Sequence, residues 1–442
     1  MSRPMTLESS PTDRLPAMAP AADPTIPVGT AVAGLDPDAL VHGYGSPLYV
    51  YDLDVVSARV DRLRAALPAR VDLAYAVKAN PNPSVMSRLA GLGLGADVAS
   101  AGELRAAVAA GFDIRRIVVT GPGTTDEELA FALRLGVRAV TVESLDQVGS
   151  LLAMADLARP GQGLLLRLAT PDAIEERPII GAAGAAKFGM LVEEAEEAID
   201  RLRLAGAIGG PGAPYELLGF HAFGASNVLD AERIVGGVRW LAARAEALAV
   251  RLGAELGLLD AGGGLGIPYA EGEPVLDLRA LGDGLDREID SWPRRAGLAR
   301  ARLVLEPGRY PVGPAGAYLM RVLRTKVRGD RRVVVVDGGI HHLLRPALVG
   351  RPQRIVSVGI GAPERPGVTC DVVGPLCTGL DVLATGVVLP EPRAGDLLAV
   401  LDAGAYGFTE SMPLFLSHPM PAEVAVSGDG ATATRYRIVP VA

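Results

Sequence analysis

A strand-then-helix alternation from Val71 to Glu306 constrains this chain more than any other feature. Short apolar runs at Val71–Val77, Leu94–Val98, Ile117–Thr120, Ala139–Val142, Leu164–Leu168, Leu217–Phe223, Gly257–Ala261 and Leu303–Glu306 read as buried strands. Between them lie helical stretches such as Ala101–Ala110, Asp126–Leu135, Leu145–Ala158, Val192–Ala205 and Ala231–Leu252. Eight strands with intervening helices over this span have the size and rhythm of a TIM-like (β/α)8 barrel. An open doubly wound sheet would need a G-x-G-x-x-G turn after an early strand, and none is present. From Gly316 onward the pattern changes to short β-rich runs at Arg332–Val336, Ile355–Val358, Thr369–Val373, Leu397–Leu401, Ala422–Val426 and Thr434–Val439. These predict a C-terminal all-β domain. The expected organisation is a leader at 1–27, a segment at 28–52 joining the β domain through the strand-like Pro47–Tyr51, a barrel at 53–315 and the β domain at 316–442.

Composition removes several classes of function. The 442 residues suffice for two domains. A net charge of −8 argues against a nucleic-acid surface. No apolar run is long enough to span a bilayer. Met1 to Pro27 is rich in Pro, Ala, Ser and Thr but lacks the apolar segment of a secretion signal, so it reads as a disordered leader. The two cysteines, Cys370 and Cys377, build no disulfide framework and fit a reducing cytoplasm. Five scattered histidines and no Cys/His cluster speak against a metal site.

In a barrel of this kind the chemistry sits at the carboxyl ends of the strands. Here nearly every such end is polar or glycine-rich. Lys78 follows the first strand, on the face that alternation assigns to Ala74 and Ala76. Asp97-Val-Ala-Ser-Ala-Gly-Glu103 follows the second, Thr120-Gly-Pro-Gly123 the third and Glu143-Ser144 the fourth. Arg167 closes the fifth strand, and His221, Phe223 and Ser226 lie on or just beyond the sixth. The seventh runs into Asp260-Ala-Gly-Gly-Gly-Leu-Gly266, and the eighth ends in Glu306-Pro-Gly-Arg309. A triple glycine lets backbone N–H groups approach a phosphate, although it is more often a tight turn. The Arg309 guanidinium suits phosphate or carboxylate, and Glu306 could hold a protonated ring nitrogen. An amine, a phosphate nest and a carboxylate around one mouth suggest a phosphorylated aldehyde cofactor.

These residues resemble the fold-type III pyridoxal-phosphate decarboxylases, the group containing diaminopimelate and ornithine decarboxylases. The motifs are Tyr75-Ala-Val-Lys-Ala-Asn80, Asp97-Val-Ala-Ser-Ala-Gly-Glu103, Lys187-Phe-Gly189, Gly262-Gly-Gly264, Glu306-Pro-Gly-Arg309, Gly374-Pro-Leu-Cys377 with Asp381, and Gly404-Ala-Tyr406. They occur in the family's order from about Pro47 to the C-terminus. The resemblance implies pyridoxal 5'-phosphate as cofactor and a head-to-tail homodimer with shared active sites. It also implies that Lys78 forms the Schiff base and that Glu306 pairs with the pyridinium nitrogen. Asp97, His221 and Phe223 are implied around the cofactor, with Ser226, Gly262, Gly263, Gly264, Gly308 and Arg309 about its phosphate and Tyr406 closing over it. Cys377 of the partner is implied as the proton donor to Cα, with Arg309, Arg345, Thr378, Asp381 and Tyr406 toward the substrate. Cys370 has no such context and reads as core.

Two departures from the family pattern bear on function. The family places a histidine over the cofactor ring, whereas Phe223 stands there in Gly219-Phe-His-Ala-Phe-Gly-Ala-Ser-Asn227. His221, two residues earlier, therefore shares its strand face: either Phe223 stacks on the ring with His221 behind it, or a small shift restores the histidine, and Phe223 is the favoured stacker. Both side chains could instead be barrel core. The second departure is Thr378, where diaminopimelate decarboxylases carry glutamate and ornithine decarboxylases aspartate. Val349 likewise replaces a tyrosine after Arg345-Pro346. A distal substrate amine would lose a charge-assisted hydrogen bond of about 1.5–3 kcal/mol. Ser417-His-Pro-Met-Pro-Ala-Glu-Val424 is more similar to a secondary-metabolism subgroup that includes decarboxylases of glutamyl groups on an acyl-carrier protein. The main expectation is therefore a decarboxylase acting on a non-standard or carrier-tethered amino acid. The alternatives are meso-diaminopimelate decarboxylation, a catalytically silent regulatory homologue, and an amino-acid racemase. Lys78 and Cys377 together argue against silence, and the Cys377 motif and long β domain argue against a racemase.

Overall fold

The computed structural model describes residues 32–170, 187–351, 353–359, 365–428 and 430–435. The expected leader at 1–27 lies outside them. The chain divides into two units. The barrel unit comprises Arg59–Ile267 and Pro274–Tyr310, and the β-rich unit comprises the chain up to Ala58, Pro268–Glu273 and the chain from Pro311. The divisions thus fall near 58 and 310 rather than 52 and 315, with a six-residue insert at 268–273 assigned to the β-rich unit.

The first strand, β1 (Leu48–Asp52), precedes the barrel and belongs to the β-rich unit. The barrel is a closed ring of eight strands. They are β2 (Val71–Ala76), β3 (Gly95–Val98), β4 (Ile117–Val119), β5 (Ala139–Val142), β6 (Gln162–Arg167), β7 (Tyr215–His221), β8 (Leu258–Asp260) and β9 (Arg302–Leu305). All neighbours are parallel, and β2 closes the ring against β9. Strands buried on both faces need no polar alternation, which is why they stand out as apolar runs. Helices between them start where side chains cap free N–H groups: Ser100 before Ala101–Ala109, Thr125 with Glu128 before Asp126–Leu135, and Asp230 before Ala231–Leu252.

The barrel interior is layered. At its amino end Arg302 pairs with Asp72 at 2.8 Å and Arg138 lies 3.4 Å from the same carboxylate. The middle layer is apolar, built from Ala74, Val118, Ala139, Leu165, Leu258 and Val304. Two residues further along, the inward side chains become polar, with Asp97, Arg167, His221, Asp260 and Glu306 all buried. The strand period thus delivers a ring of ionisable groups to the carboxyl mouth.

Several expected strand ends move. Strand β2 stops at Ala76, and Lys78 sits in the 3-10 turn Val77–Ala79 rather than on the strand face. The turn is closed by Asn80 N–H to the Val77 carbonyl and by the Tyr75 hydroxyl to the Asn80 carbonyl. Strand β7 ends at His221, so Phe223 lies beyond the ladder and the shared-face argument for the two does not apply.

The β-rich unit adds β10 (Gly316–Arg328), β11 (Arg331–Val336), β12 (Ile355–Val358), β13 (Gly367–Val373), β14 (Val382–Pro390), β15 (Leu397–Val400), β16 (Ala422–Ser427) and β17 (Gly430–Arg435). Their sheet runs β14-β13-β11-β10-β1-β16-β17, with β15 pairing both β10 and β12. Strand β1 lies between β10 and β16, as the Pro47–Tyr51 reading expects. Strands β10 and β14 escaped the sequence reading. The first five residues of β10 are apolar and the rest carries Arg321, Arg324, Lys326 and Arg328, while β14 is interrupted by Gly386 at φ 68°. Of the last expected strand, Thr434–Val439, the first two residues end β17 (Gly430–Arg435), and residues 436–442 lie outside those described. No helix among the described residues is long and apolar enough to cross a membrane.

Candidate active site

At the barrel mouth Lys78 Nζ lies 2.6 Å from Asp97 Oδ2, with the lysine 36% exposed and the aspartate 1%. The amine therefore opens outward from a buried anchor. Burial, reinforced by Glu306, raises the Asp97 carboxyl, and Lys78 opposes that rise. In the same cluster His221 Nε2 is 3.7 Å from Glu306 Oε1, an electrostatic contact too long for a hydrogen bond. Burial pushes the Glu306 carboxyl up, yet His221, Lys78 and Arg167 together carry it down to about 2. Burial, then the charge of Glu306, lifts Asp260 well above the usual carboxylate range. The negative charge of this cluster thus resides on Glu306.

The phosphate-nest glycines are enforced by close approach. A Cβ on Gly263 would stand 2.4 Å from the Glu306 carbonyl oxygen, and one on Gly264 2.4 Å from that of Ala225. Gly262 N–H donates to Asp260 Oδ1 at 3.0 Å, and Glu306 N–H donates to the Gly262 carbonyl at 2.8 Å. The turn after β8 is thereby tied to the end of β9. Phe223 is half-buried with its ring edge against Gly262, where an added Cβ would lie 2.7 Å from Cδ2. Gly308 leaves room for Ala76 and Ala79, whose Cβ atoms would be 3.2 and 2.8 Å from a side chain there. Buried Arg309 places Nη2 3.4 Å from Ser226 Oγ.

Two further groups join the mouth without having been assigned a role. Arg167 donates to Glu143 at 2.8 Å, both buried, and the second Glu143 oxygen accepts from Gly189 N–H at 3.1 Å. Lys187-Phe-Gly189 is thereby tied to the end of β6, with Arg167 above the Phe188 ring at 4.7 Å. Asp260 was visible two residues before the triple glycine, but its neighbours Glu306 and His221 come from other strands. Ligand atoms of His221, Asp260 and Glu306 lie within 4.8 Å of one another. A cation could share that spacing, which scattered histidines in the sequence did not suggest.

The remaining candidates belong to the β-rich unit. Cys377 is exposed on the loop between β13 and β14. Asp381 holds that loop: Oδ2 accepts from Leu376 N–H at 2.7 Å and Oδ1 from Ile340 N–H at 2.8 Å. Its observed contacts are thus positional, made to the backbone beside Cys377. Half-buried Thr378 accepts from Leu380 N–H at 3.3 Å through Oγ1. Arg345 is buried with its guanidinium 3.5 Å from the centroid of the Tyr269 ring. Tyr406 is buried at φ 53°, in the left-handed region that a bulky residue rarely adopts. His418 is not an isolated loop residue: its ring centroid is 5.0 Å from that of His341. Cys370 is buried, with Sγ 3.4 Å from the Val368 carbonyl, as expected of a core thiol.

Buried polar atoms at the mouth test whether a pyridine-type cofactor fits. Among the described residues Asp97 Oδ1, both nitrogens of His221, Asp260 Oδ2 and Glu306 Oε1 have no hydrogen-bond partner. Such atoms are costly unless something else satisfies them. An ionised carboxylate facing the mouth suits a protonated ring nitrogen. The glycine turn with Ser226 and Arg309 suits a phosphate, and Lys78 suits an aldehyde.

Comparison with known proteins agrees. Residues 53–313 match the family described as the pyridoxal-binding domain of pyridoxal-dependent decarboxylases. The chain is 35% identical over 418 residues to the diaminopimelate decarboxylase of Methanothermobacter thermautotrophicus, covering 92% of each. It is 28% identical over 399 residues to the L-glutamyl-[BtrI acyl-carrier protein] decarboxylase of Niallia circulans, covering 87% of this chain and 90% of that one. The structure of Helicobacter pylori diaminopimelate decarboxylase complexed with L-lysine superposes with a TM-score of 0.80 at 29% identity, over 91% of this chain and 96% of that one. The chain belongs to the fold-type III pyridoxal-phosphate-dependent amino-acid decarboxylases, and its cofactor is pyridoxal 5'-phosphate.

Proposed function

We propose that this enzyme removes the α-carboxylate of a diaminopimelate-class amino acid, with Lys78 as the residue that holds the cofactor. The observation that carries the site assignment is the buried cluster in which Lys78 pairs with Asp97 while Glu306 keeps its charge. When bound, pyridoxal phosphate supplies an electron-withdrawing ring that stabilises the charge left at Cα as CO2 departs. Every other contribution comes from the chain. Asp97 orients the Lys78 amine through the 2.6 Å contact between them. Glu306 keeps the ring nitrogen protonated because its own carboxyl is held near 2.

Ser226, Gly262, Gly263, Gly264, Gly308 and Arg309 would hold the phosphate, with Phe223 against the ring, His221 behind Glu306 and Tyr406 over the phosphate. Cys377 of a second copy would return a proton to Cα, its loop held by Asp381. Support for diaminopimelate comes from the relatives that share most of this chain and from the presence of Arg309 and Arg345, which suit carboxylates.

Thr378 favours a second reading. It offers a hydroxyl where a distal ammonium would call for a carboxylate, and its Oγ1 is already engaged by Leu380 N–H. Val349 likewise offers no hydroxyl. A substrate without a distal ammonium, such as a glutamyl group tethered to an acyl-carrier protein, fits those two positions better. The test is CO2 release by the holoenzyme from diaminopimelate, ornithine, lysine, arginine, free glutamate and glutamyl-pantetheine thioester. Turnover of diaminopimelate alone supports the first reading, and turnover of the thioester alone replaces it with the second.

A further inference from the structure

Behind the cofactor turn, on the outer side of the barrel wall, lies a cavity of about 430 Å³. Strand alternation explains its position. His221 and Asp260 point into the barrel, so the next residues, Ala222 and Ala261, point outward and line the cavity instead. Its far wall is the amino-terminal half of the helix Ala231–Leu252, where Ile234 and Val238 supply apolar surface, joined by Val228 from the preceding loop. Lys78, Ser226, Glu306 and Arg309 do not line it, whereas Gly263 of the phosphate turn does, so the cavity backs directly onto that turn.

Three features distinguish this space from a packing defect. Gly236 and Gly237 lie inside that helix, where glycine is less favourable than alanine, yet a Cβ at either would meet nothing within 4 Å. Close packing does not require these glycines; they keep the space open. The Trp240 indole Nε1–H is buried without a hydrogen-bond partner, and Trp240 lines the cavity. Arg233 stands at the cavity with no carboxylate in ion-pair range among the described residues, and it is exposed to solvent. Apolar walls, one buried donor and one exposed cation form the usual lining of a small-molecule site, in the usual size range.

We propose that this cavity is a second binding site, adjoining the phosphate turn at Gly263 but not reaching Lys78, for a small amphipathic anion. The apolar body would lie against Val228, Ile234 and Val238, with a carboxylate or phosphate on Arg233 and an acceptor atom on Trp240 Nε1. Intrinsic fluorescence can read it directly. The chain has two tryptophans, and Trp292 is fully buried elsewhere in the barrel unit, hydrogen-bonded to Glu288. In a Trp292→Phe holoenzyme Trp240 is the only tryptophan reporter. Titration with octanoate is expected to give a saturable change, with octanol and acetate each binding at least about tenfold more weakly because each lacks one half of the recognition. Arg233→Ala should reduce octanoate binding to the octanol level. Gly236→Leu, which favours the helix while filling the space, should abolish it without lowering the melting temperature. No saturable signal up to about 10 mM octanoate would overturn the proposal, as would affinity unchanged in both variants.

Discussion

Lowering the pH from 7 toward 5 is expected to weaken the β-rich unit through two histidines buried in their neutral form. His341 and His342 are both fully buried, with ring centroids 3.8 Å apart. Burial, then the nearby His418, holds His341 down to about 4. Burial, then His341, holds His342 down to about 3. His342 is also committed to one tautomer. Its Nε2 lies 3.1 Å from the Pro419 carbonyl, which only accepts, so Nε2 carries the proton and Nδ1 accepts from the Tyr318 hydroxyl at 3.0 Å. In the unfolded chain each ring titrates near about 6.5. The unfolded state therefore takes up protons first, so stability is complete above that pH and is lost as the pH falls toward the folded values. Between about pH 7 and pH 5 each ring accounts for a loss of about 2 kcal/mol. Asp337 and Asp381, raised chiefly by burial, work in the opposite sense because they bind protons more readily when folded. The clean measurement is thus a difference between proteins. Urea unfolding of wild type and His341→Leu at the two pH values should show a loss smaller by about 2 kcal/mol in the variant. Equal losses in both proteins would refute the argument.

Three further outcomes follow from the site geometry. Lys78→Ala should leave the fold intact but let the cofactor wash out on gel filtration, with loss of both its visible absorbance and CO2 release. Gly263→Ala places a Cβ 2.4 Å from the Glu306 carbonyl oxygen, a backbone atom that cannot step aside, so cofactor affinity measured by titration should fall at least about tenfold. In Asp381→Asn an amide NH2 must face one of two backbone donors, Leu376 or Ile340. That should cost about 1–3 kcal/mol in urea unfolding and lower kcat through the Cys377 loop.

What the sequence revealed and what it withheld have a common physical origin. Barrel strands are buried on both faces, so they appear as unbroken apolar runs, and the first polar residue after each run falls at the mouth. Lys78, Asp97, Arg167, His221 and Glu306 were visible for that reason. Partnerships across strands were not, because it is the register of neighbouring strands that brings Glu143 to Arg167, and the packing of the barrel mouth that brings His221 to Glu306. The histidine cluster shows the same limit in the β-rich unit: His418 is far along the chain from His341, and its packing against that ring depends on how the intervening strands fold back. Charge states are still less local. Asp260 and Glu306 are both buried carboxylates at strand ends, yet one is raised and the other lowered. Glu306 faces His221, Lys78 and Arg167, whereas Asp260 faces Glu306 itself. Two neighbouring carboxylates cannot both keep a charge cheaply in a medium of low dielectric, so the one with cations around it takes the charge and the other takes the proton. That division fixes which oxygen a protonated ring nitrogen can approach, and it is set by the cluster as a whole rather than by either residue type.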